Sequence, residues 1–244
     1  MSLYVGTSGW AYGEWRGSFY PDGLPQARFL EHYGRSLTAC EANATFYRLQ
    51  SETTLARWAG SVPDEFRFAV KAHRRVSYRR RLLPDAESAG YIEEFVESLQ
   101  PLGEKLGCLL IQVPEFLERG DDALAGLLDL LPGDMRFACE LQHPSWDAPE
   151  VATAVAARGG TVCVREEEGV APAALPPGPC AYVRLKGLHY SDEARRGLLS
   201  MVGDEAHARD VFVFARHKDV PADDPHTGLG LARWLVSRFR ETGS

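Results

Sequence analysis

Two glutamates, Glu41 and Glu140, lie at or next to the ends of short apolar runs, where a strand would deliver them to one rim of a fold. A carboxylate in such a place can trade a proton or hold a cation, and two can divide the roles of acid and base. His143 follows Glu140 on a Glu-x-x-His turn and is a third candidate for proton transfer. Lys71, Arg165, Arg184 and Lys186 stand at the ends of further runs. Cations that converge select an anionic ligand, phosphate or carboxylate above all, which arginine can grip with two parallel hydrogen bonds. The same charges could instead pair with Glu41, Glu140 and Glu166 in a structural network. Ser8, Asn43 and Gln112 add neutral hydrogen-bonding groups at other run ends. Trp10, Tyr47 and Trp146 offer flat faces that could stack on a sugar ring or base.

Several other chemistries lack their signatures. The five cysteines, Cys40, Cys108, Cys139, Cys163 and Cys180, are odd in number and widely spaced, so neither a disulfide framework nor a C-x-x-C site is indicated. If Glu41 and Glu140 face inward, strand alternation turns Cys40 and Cys139 outward, as buried structural residues. No dinucleotide, Walker or G-x-S-x-G motif is present, so no cofactor is expected and Ser8 lacks the context of an activated nucleophile. His73, His143 and His217 show no ligand spacing. No metal ligand is assigned, and a divalent metal drawn from separate strands stays as an alternative.

The elements that must position these groups follow from patterning. Apolar runs of strand length occur at residues 3–6, 39–43, 66–71, 108–113, 136–141, 161–165, 181–186 and 211–215. Helical patterning intervenes at 26–33, 52–59, 91–99, 121–130 and 149–157, and closes the chain at 229–240. The connection 166–179, rich in Pro and Ala, is expected to be irregular or to lack a full helix. Repeated strand–helix units imply parallel pairing. Eight of them in 244 residues without a linker predict a single (β/α)₈ TIM-type barrel spanning residues 1–244. In that architecture chemistry gathers at the C-terminal ends of the strands, where the polar residues named above fall.

With 45% hydrophobic and 25% charged residues, the composition is that of a soluble globular protein. A net charge of −7 argues against broad adhesion to nucleic acid or anionic membranes. The chain enters a strand at once, with no basic-then-apolar leader and no membrane-length apolar stretch, so the cytoplasm is the expected location. One local exception is the run Arg74, Arg75, Arg79, Arg80 and Arg81. It is expected to be a solvated loop, with a nucleic-acid backbone as the alternative partner. The oligomeric state is left open.

Gly6-Thr-Ser-Gly-Trp10, with Tyr12, Trp15 and Phe19-Tyr20-Pro21, resembles the N-terminal signature of the YecE-like proteins, a family of unknown function. The likeness continues through Glu41-Ala-Asn43-Ala-Thr45-Phe46-Tyr47-Arg48, Phe66-Arg-Phe-Ala-Val-Lys71 and Leu109-Leu-Ile-Gln112-Val-Pro114. It extends to Glu140-Leu-Gln-His143-Pro-Ser-Trp146 and Tyr182-Val-Arg184-Leu-Lys186-Gly187. The resemblance implies a TIM-type barrel and supplies no known reaction. The sequence departs from the family pattern at Gln142, Lys186, Ser77-Tyr78 and Arg216-His217.

Together these features predict an enzyme, a hydrolase or isomerase, acting on a small phosphorylated or carboxylated compound by carboxylate and histidine acid–base chemistry. The alternatives are a nucleic-acid-processing or nucleic-acid-binding protein and a noncatalytic ligand-binding protein.

Overall fold

The computed structural model describes residues 2–77, 86–217 and 220–242. Among them, nine parallel strand segments form the wall of a (β/α)₈ TIM-type barrel. They are β1 (Leu3–Thr7), β2 (Ala39–Ala42), β3 (Arg67–Lys71), β4 (Leu106–Val113), β5 (Phe137–Leu141), β6 (Gly160–Val162), β7 (Val164–Glu166), β8 (Cys180–Leu185) and β9 (Asp210–Ala215). They run in two arcs, β1-β9-β8-β7 and β2-β3-β4-β5-β6. The expected strand over 161–165 is therefore divided: β6 pairs with β5, β7 with β8, and Cys163 lies between them. The Cys163 N–H still donates to the Cys139 carbonyl at 2.9 Å, so the wall continues across the break.

At the other seam, β1 lies against β2 without a regular ladder. The Thr38 N–H donates to the Val5 carbonyl at 3.1 Å, and the Val5 N–H to Thr38 Oγ1 at 2.8 Å. Tyr33, fully buried, accepts from the Thr7 N–H at 2.7 Å and donates to the Ala39 carbonyl at 3.0 Å. Gly6 makes this approach possible, since a Cβ there would stand 1.9 Å from the Ala39 carbonyl oxygen.

Eight helices lie among the described residues: α1 (Phe29–Gly34), α2 (Glu52–Gly60), α3 (Arg74–Ser77), α4 (Ala86–Ser98), α5 (Asp121–Leu128), α6 (Pro149–Ala156), α7 (Asp192–Ala206) and α8 (Gly228–Thr242). The helix expected over 26–33 is a 3₁₀ turn, Gln26–Arg28, running into α1. No helix follows β7, in keeping with the Pro-rich connection. Helix α7 has no counterpart among the expected elements. Only Leu198, Val202 and Ala206 are fully buried, with Ala194, Leu199 and Met201 partly so, and charged residues fill much of the remainder, so its amphipathic signal is weak. Its start is nonetheless well signalled: Ser191 Oγ accepts from the Ala194 N–H at 3.1 Å, with Asp192 and Glu193 in the positive first turn.

Two apolar clusters separate wall from interior. Outward residues such as Cys40, Val70, Ile111, Cys139, Val183 and Val213 pack under the helices. Inward residues, including Ala39, Ala69, Leu110, Ala138, Tyr182 and Phe212, fill the barrel. Two positions further along the first five of these strands, the inward residue becomes polar: Glu41, Lys71, Gln112, Glu140 and Arg184. Strand periodicity alone thus places a polar layer on an apolar plug.

Candidate functional site at the barrel mouth

That polar layer is one hydrogen-bonded network. Arg184 donates from Nη2 to Glu41 Oε1 at 2.9 Å and from Nη1 to Glu140 Oε2 at 2.6 Å. Glu140 also accepts from Lys186 Nζ at 2.9 Å and from Gln112 Nε2 at 2.6 Å. Glu41 accepts from the Tyr182 hydroxyl at 2.8 Å and from Asn43 Nδ2 at 3.1 Å. Both carboxylates are 0% exposed. Burial pushes the Glu140 carboxyl up, but Arg184, Lys186 and the hydrogen bonds from Lys186 and Gln112 outweigh it and hold the group below its ordinary range. Arg184 is likewise opposed by burial and stabilised by the two glutamates, so its guanidinium is held ionised.

Above the carboxylates opens a cavity of about 480 Å³. Ser8, Asn43, Tyr47, Lys71, Arg184 and Lys186 line it, as do Tyr12, Phe46, Arg216 and His217. Glu41, Gln112 and Glu140 do not line it; the two carboxylates lie beneath, gripping Arg184 and Lys186, and Gln112 donates to Glu140. Two buried polar atoms in this layer, Arg184 Nε and Asn43 Oδ1, have no hydrogen-bond partner. Lys71 Nζ sits 4.0 Å from the centroid of the Phe46 ring. Burial, reinforced by Arg184 and Lys186 and opposed by Glu41 and Glu140, lowers its pKa to about 8.

Other candidates from the sequence lie elsewhere. His143 is half-buried and caps a short turn, its Nδ1 2.8 Å from Ser145 Oγ. Trp146 is buried, donating from Nε1 to the Leu117 carbonyl at 3.0 Å. Trp10 stands edge-on to Trp58 at 4.9 Å and lines a neighbouring groove of about 630 Å³ that also includes Arg48 and Arg57. Arg165 faces Glu167 at 3.4 Å. Glu166 turns to its own loop, with Oε1 accepting from the N–H groups of Glu168, Gly169 and Val170 at 2.6, 2.7 and 3.1 Å, and Oε2 from Tyr190. His73 Nδ1 accepts from the Arg75 N–H at 3.2 Å.

All five cysteines are buried and free, and burial pushes the Cys139 thiol up to about 12. Among the described residues no three His, Cys, Asp or Glu side chains form a set able to hold a metal, and no helix is long and apolar enough to cross a membrane. Arg74 and Arg75 are exposed on α3, Arg75 lying 4.8 Å from the Tyr91 ring centroid. Arg79, Arg80 and Arg81 lie outside the described residues.

Four residues of the site lie outside the set that the sequence assigned to catalysis or ligand binding. Tyr182 is two positions before Arg184 on the same inward face, a relation that strand periodicity carries. Tyr12 and His217 stack at 4.2 Å across the rim, joining distant loops. Arg216 donates to the Lys186 carbonyl at 2.8 Å and steadies the end of β8.

Over 147 residues the chain is 29% identical to the UPF0759 protein YecE of Escherichia coli K12, covering 60% of this chain and 50% of that protein. It is 27% identical over 152 residues to the UPF0759 protein YunF of Bacillus subtilis 168, covering 60% and 53%. The match therefore spans about half the length of these two relatives. Among solved structures, the DUF72 family protein TM1631 of Thermotoga maritima superposes with a TM-score of 0.77 at 23% identity, over 99% of each chain, and shares the fold. Residues 4–242 match the family described as "Protein of unknown function DUF72", and the chain belongs to that family.

Proposed function

We propose that the protein is an enzyme, an isomerase or hydrolase, that takes a small phosphorylated or carboxylated compound into the barrel mouth. The observation that carries this reading is the convergence of Arg184, Lys186 and Lys71 on one cavity, above two carboxylates buried out of reach of a ligand. Four cations line the cavity, Lys71, Arg184, Lys186 and Arg216, against Glu41, Glu140 and a Glu167 carboxylate 3.7 Å from Lys186, which leaves an excess of positive charge that a ligand's anionic group would offset. Arg184 Nε and Asn43 Oδ1 supply a donor and an acceptor not satisfied within the protein. Glu41 and Glu140 act as positioning groups in this scheme, because Glu140 is held ionised and both are saturated with donors. The proton-exchanging group is Lys71, whose ammonium releases its proton at about pH 8.

The test is a thermal-shift screen of inorganic phosphate, short carboxylates and sugar phosphates, followed by turnover assays on the binders. Stabilisation by anionic compounds, lost in Arg184→Gln, supports the proposal. No shift from any of them overturns it.

A further inference from the structure

The chain contains four lysines, Lys71, Lys105, Lys186 and Lys218, against 23 arginines. Arginine is this sequence's usual cation, so each of the four lysines can be considered singly. Lys105 is explained by anchoring: its Nζ donates to the carbonyls of Ala59 and Val62 at 2.7 and 2.8 Å. Lys186 is tied to Glu140. Lys218 lies outside the described residues. Lys71 differs from the described others. Its Nζ makes neither a hydrogen bond nor an ion pair among the described residues, rests on the Phe46 ring and faces the cavity.

An amine crowded by Arg184 and Lys186, partly buried and without its own carboxylate partner, is placed to be a nucleophile. From these relations we infer that Lys71 forms an imine with a small oxo acid or oxo phosphate, whose anionic group is held by Arg184 and Lys186. The inference rests on the anionic mouth argued above. In the step, the neutral Nζ lone pair adds to the carbonyl carbon while the C=O π electrons move to oxygen, which takes a proton. The resulting carbinolamine then expels that oxygen as water as the nitrogen loses its second proton, leaving the C=N bond. Amine and carbonyl compound thus give imine and one water, with no oxidant or reductant consumed. Phe46 beneath the amine and the buried carboxylates would keep Lys71 aimed at the cavity.

The experiment uses the full chain incubated at pH 7.5 with glyoxylate, or with propanal as a neutral aldehyde, and then reduced with borohydride. Reduction converts any imine to a stable secondary amine, and peptide mass spectrometry assigns it among the four lysines. From the neutral fractions of amines titrating at about 8 and at the ordinary 10.5, Lys71 is expected to be labelled on the order of a hundredfold more readily than a free lysine side chain. Glyoxylate should label it faster than propanal, with no Lys71-site adduct in Lys71→Met. Labelling spread evenly over the lysines, or absent from Lys71, overturns the imine. Equal labelling by the two aldehydes overturns the oxo-acid class. Thermal stabilisation by phosphate and glyoxylate without an adduct at Lys71 sinks this inference while leaving the anionic mouth intact; loss of both stabilisation and adduct sinks the two together.

Discussion

Arg184 and Glu140 meet at 2.6 Å across the barrel, reaching from β8 to β5. The side chain of Arg184 is only 11% exposed and that of Glu140 not at all, so this pair was removed from water to be made. Such a pair contributes little net stability, because desolvation offsets most of the attraction. Its value here is positional: it fixes one guanidinium between Glu41 and Glu140, with its buried Nε unpaired.

Replacing Glu140 with Gln should therefore be costly. Arg184 and Lys186 would lose their shared partner inside the barrel, and removing one member of a buried pair costs about 3–5 kcal/mol. The wild-type contribution is also pH-dependent. Glu140 has a folded pKa below its ordinary 4.5, so the unfolded chain binds the extra proton between the two values. The stabilisation is full above 4.5 and fades as pH falls through the folded value. Urea denaturation of both proteins at pH 7 and at steps below 4.5 checks this: the gap between them should narrow on acidification.

Tyr182→Phe isolates a smaller term. The ring would keep its neighbours Phe212 and Phe214, whose centroids lie 6.2 and 5.2 Å away. Only the hydroxyl's hydrogen bond to Glu41 is removed, a bond to a charged acceptor worth about 1.5–3 kcal/mol. A fall in the denaturation midpoint without a change in slope is the expected result.

Much of this arrangement was legible before any coordinates. Alternation along each strand put Glu41 opposite in sense to Cys40, and Glu140 to Cys139, and the two clusters divide that way. Strand ends predicted that Lys71, Arg165, Arg184 and Lys186 converge; three of them do, while Arg165 turns to Glu167. What sequence could not convey was depth. Nothing in Glu-Ala-Asn or Cys-Glu-Leu reveals that the carboxylates stop below the cavity floor while the longer Arg and Lys side chains extend past them. His143, Trp10 and Trp146 lie in loops after strands, where no period fixes direction, and local capping and packing decided where they point.

Glu166 illustrates a strand-end charge that serves the loop. Its three backbone donors form a concave turn around one carboxylate oxygen. Gly169 stands there at φ +78°, and a Cβ on it would lie 2.1 Å from the His189 carbonyl oxygen. Glu166→Gln replaces a charged acceptor with a weaker neutral one and should loosen the helix-free connection to β8. Hydrogen exchange at the amides of Glu168, Gly169 and Val170 should quicken at least tenfold, the rate equivalent of about 1.4 kcal/mol. Unchanged protection at those amides would remove Glu166 from this role.

Lys71→Met should stabilise the protein at neutral pH, an unusual outcome for a residue in a candidate active site. Lys71 is opposed by burial, by Arg184 on β8 and by Lys186 just past its end, and supported from below by Glu41 on β2 and Glu140 on β5, with the balance unfavourable to its charge. An ordinary lysine titrates at 10.5 and folded Lys71 at about 8. Between those values the unfolded chain holds the proton that the folded chain has released, so stability rises with pH across the window. Below about 8 the cost is fully present. Met fills much the same volume without charge, so it should gain on the order of 2 kcal/mol at pH 7, allowing for solvent at the partly exposed amine. The gain should shrink as pH climbs from 8 towards 10. Denaturation of both proteins across that range checks the sign: a Met variant less stable at pH 7, or a gap that widens with pH, would show that the network welcomes the Lys71 charge and that the amine is not poised to lose its proton.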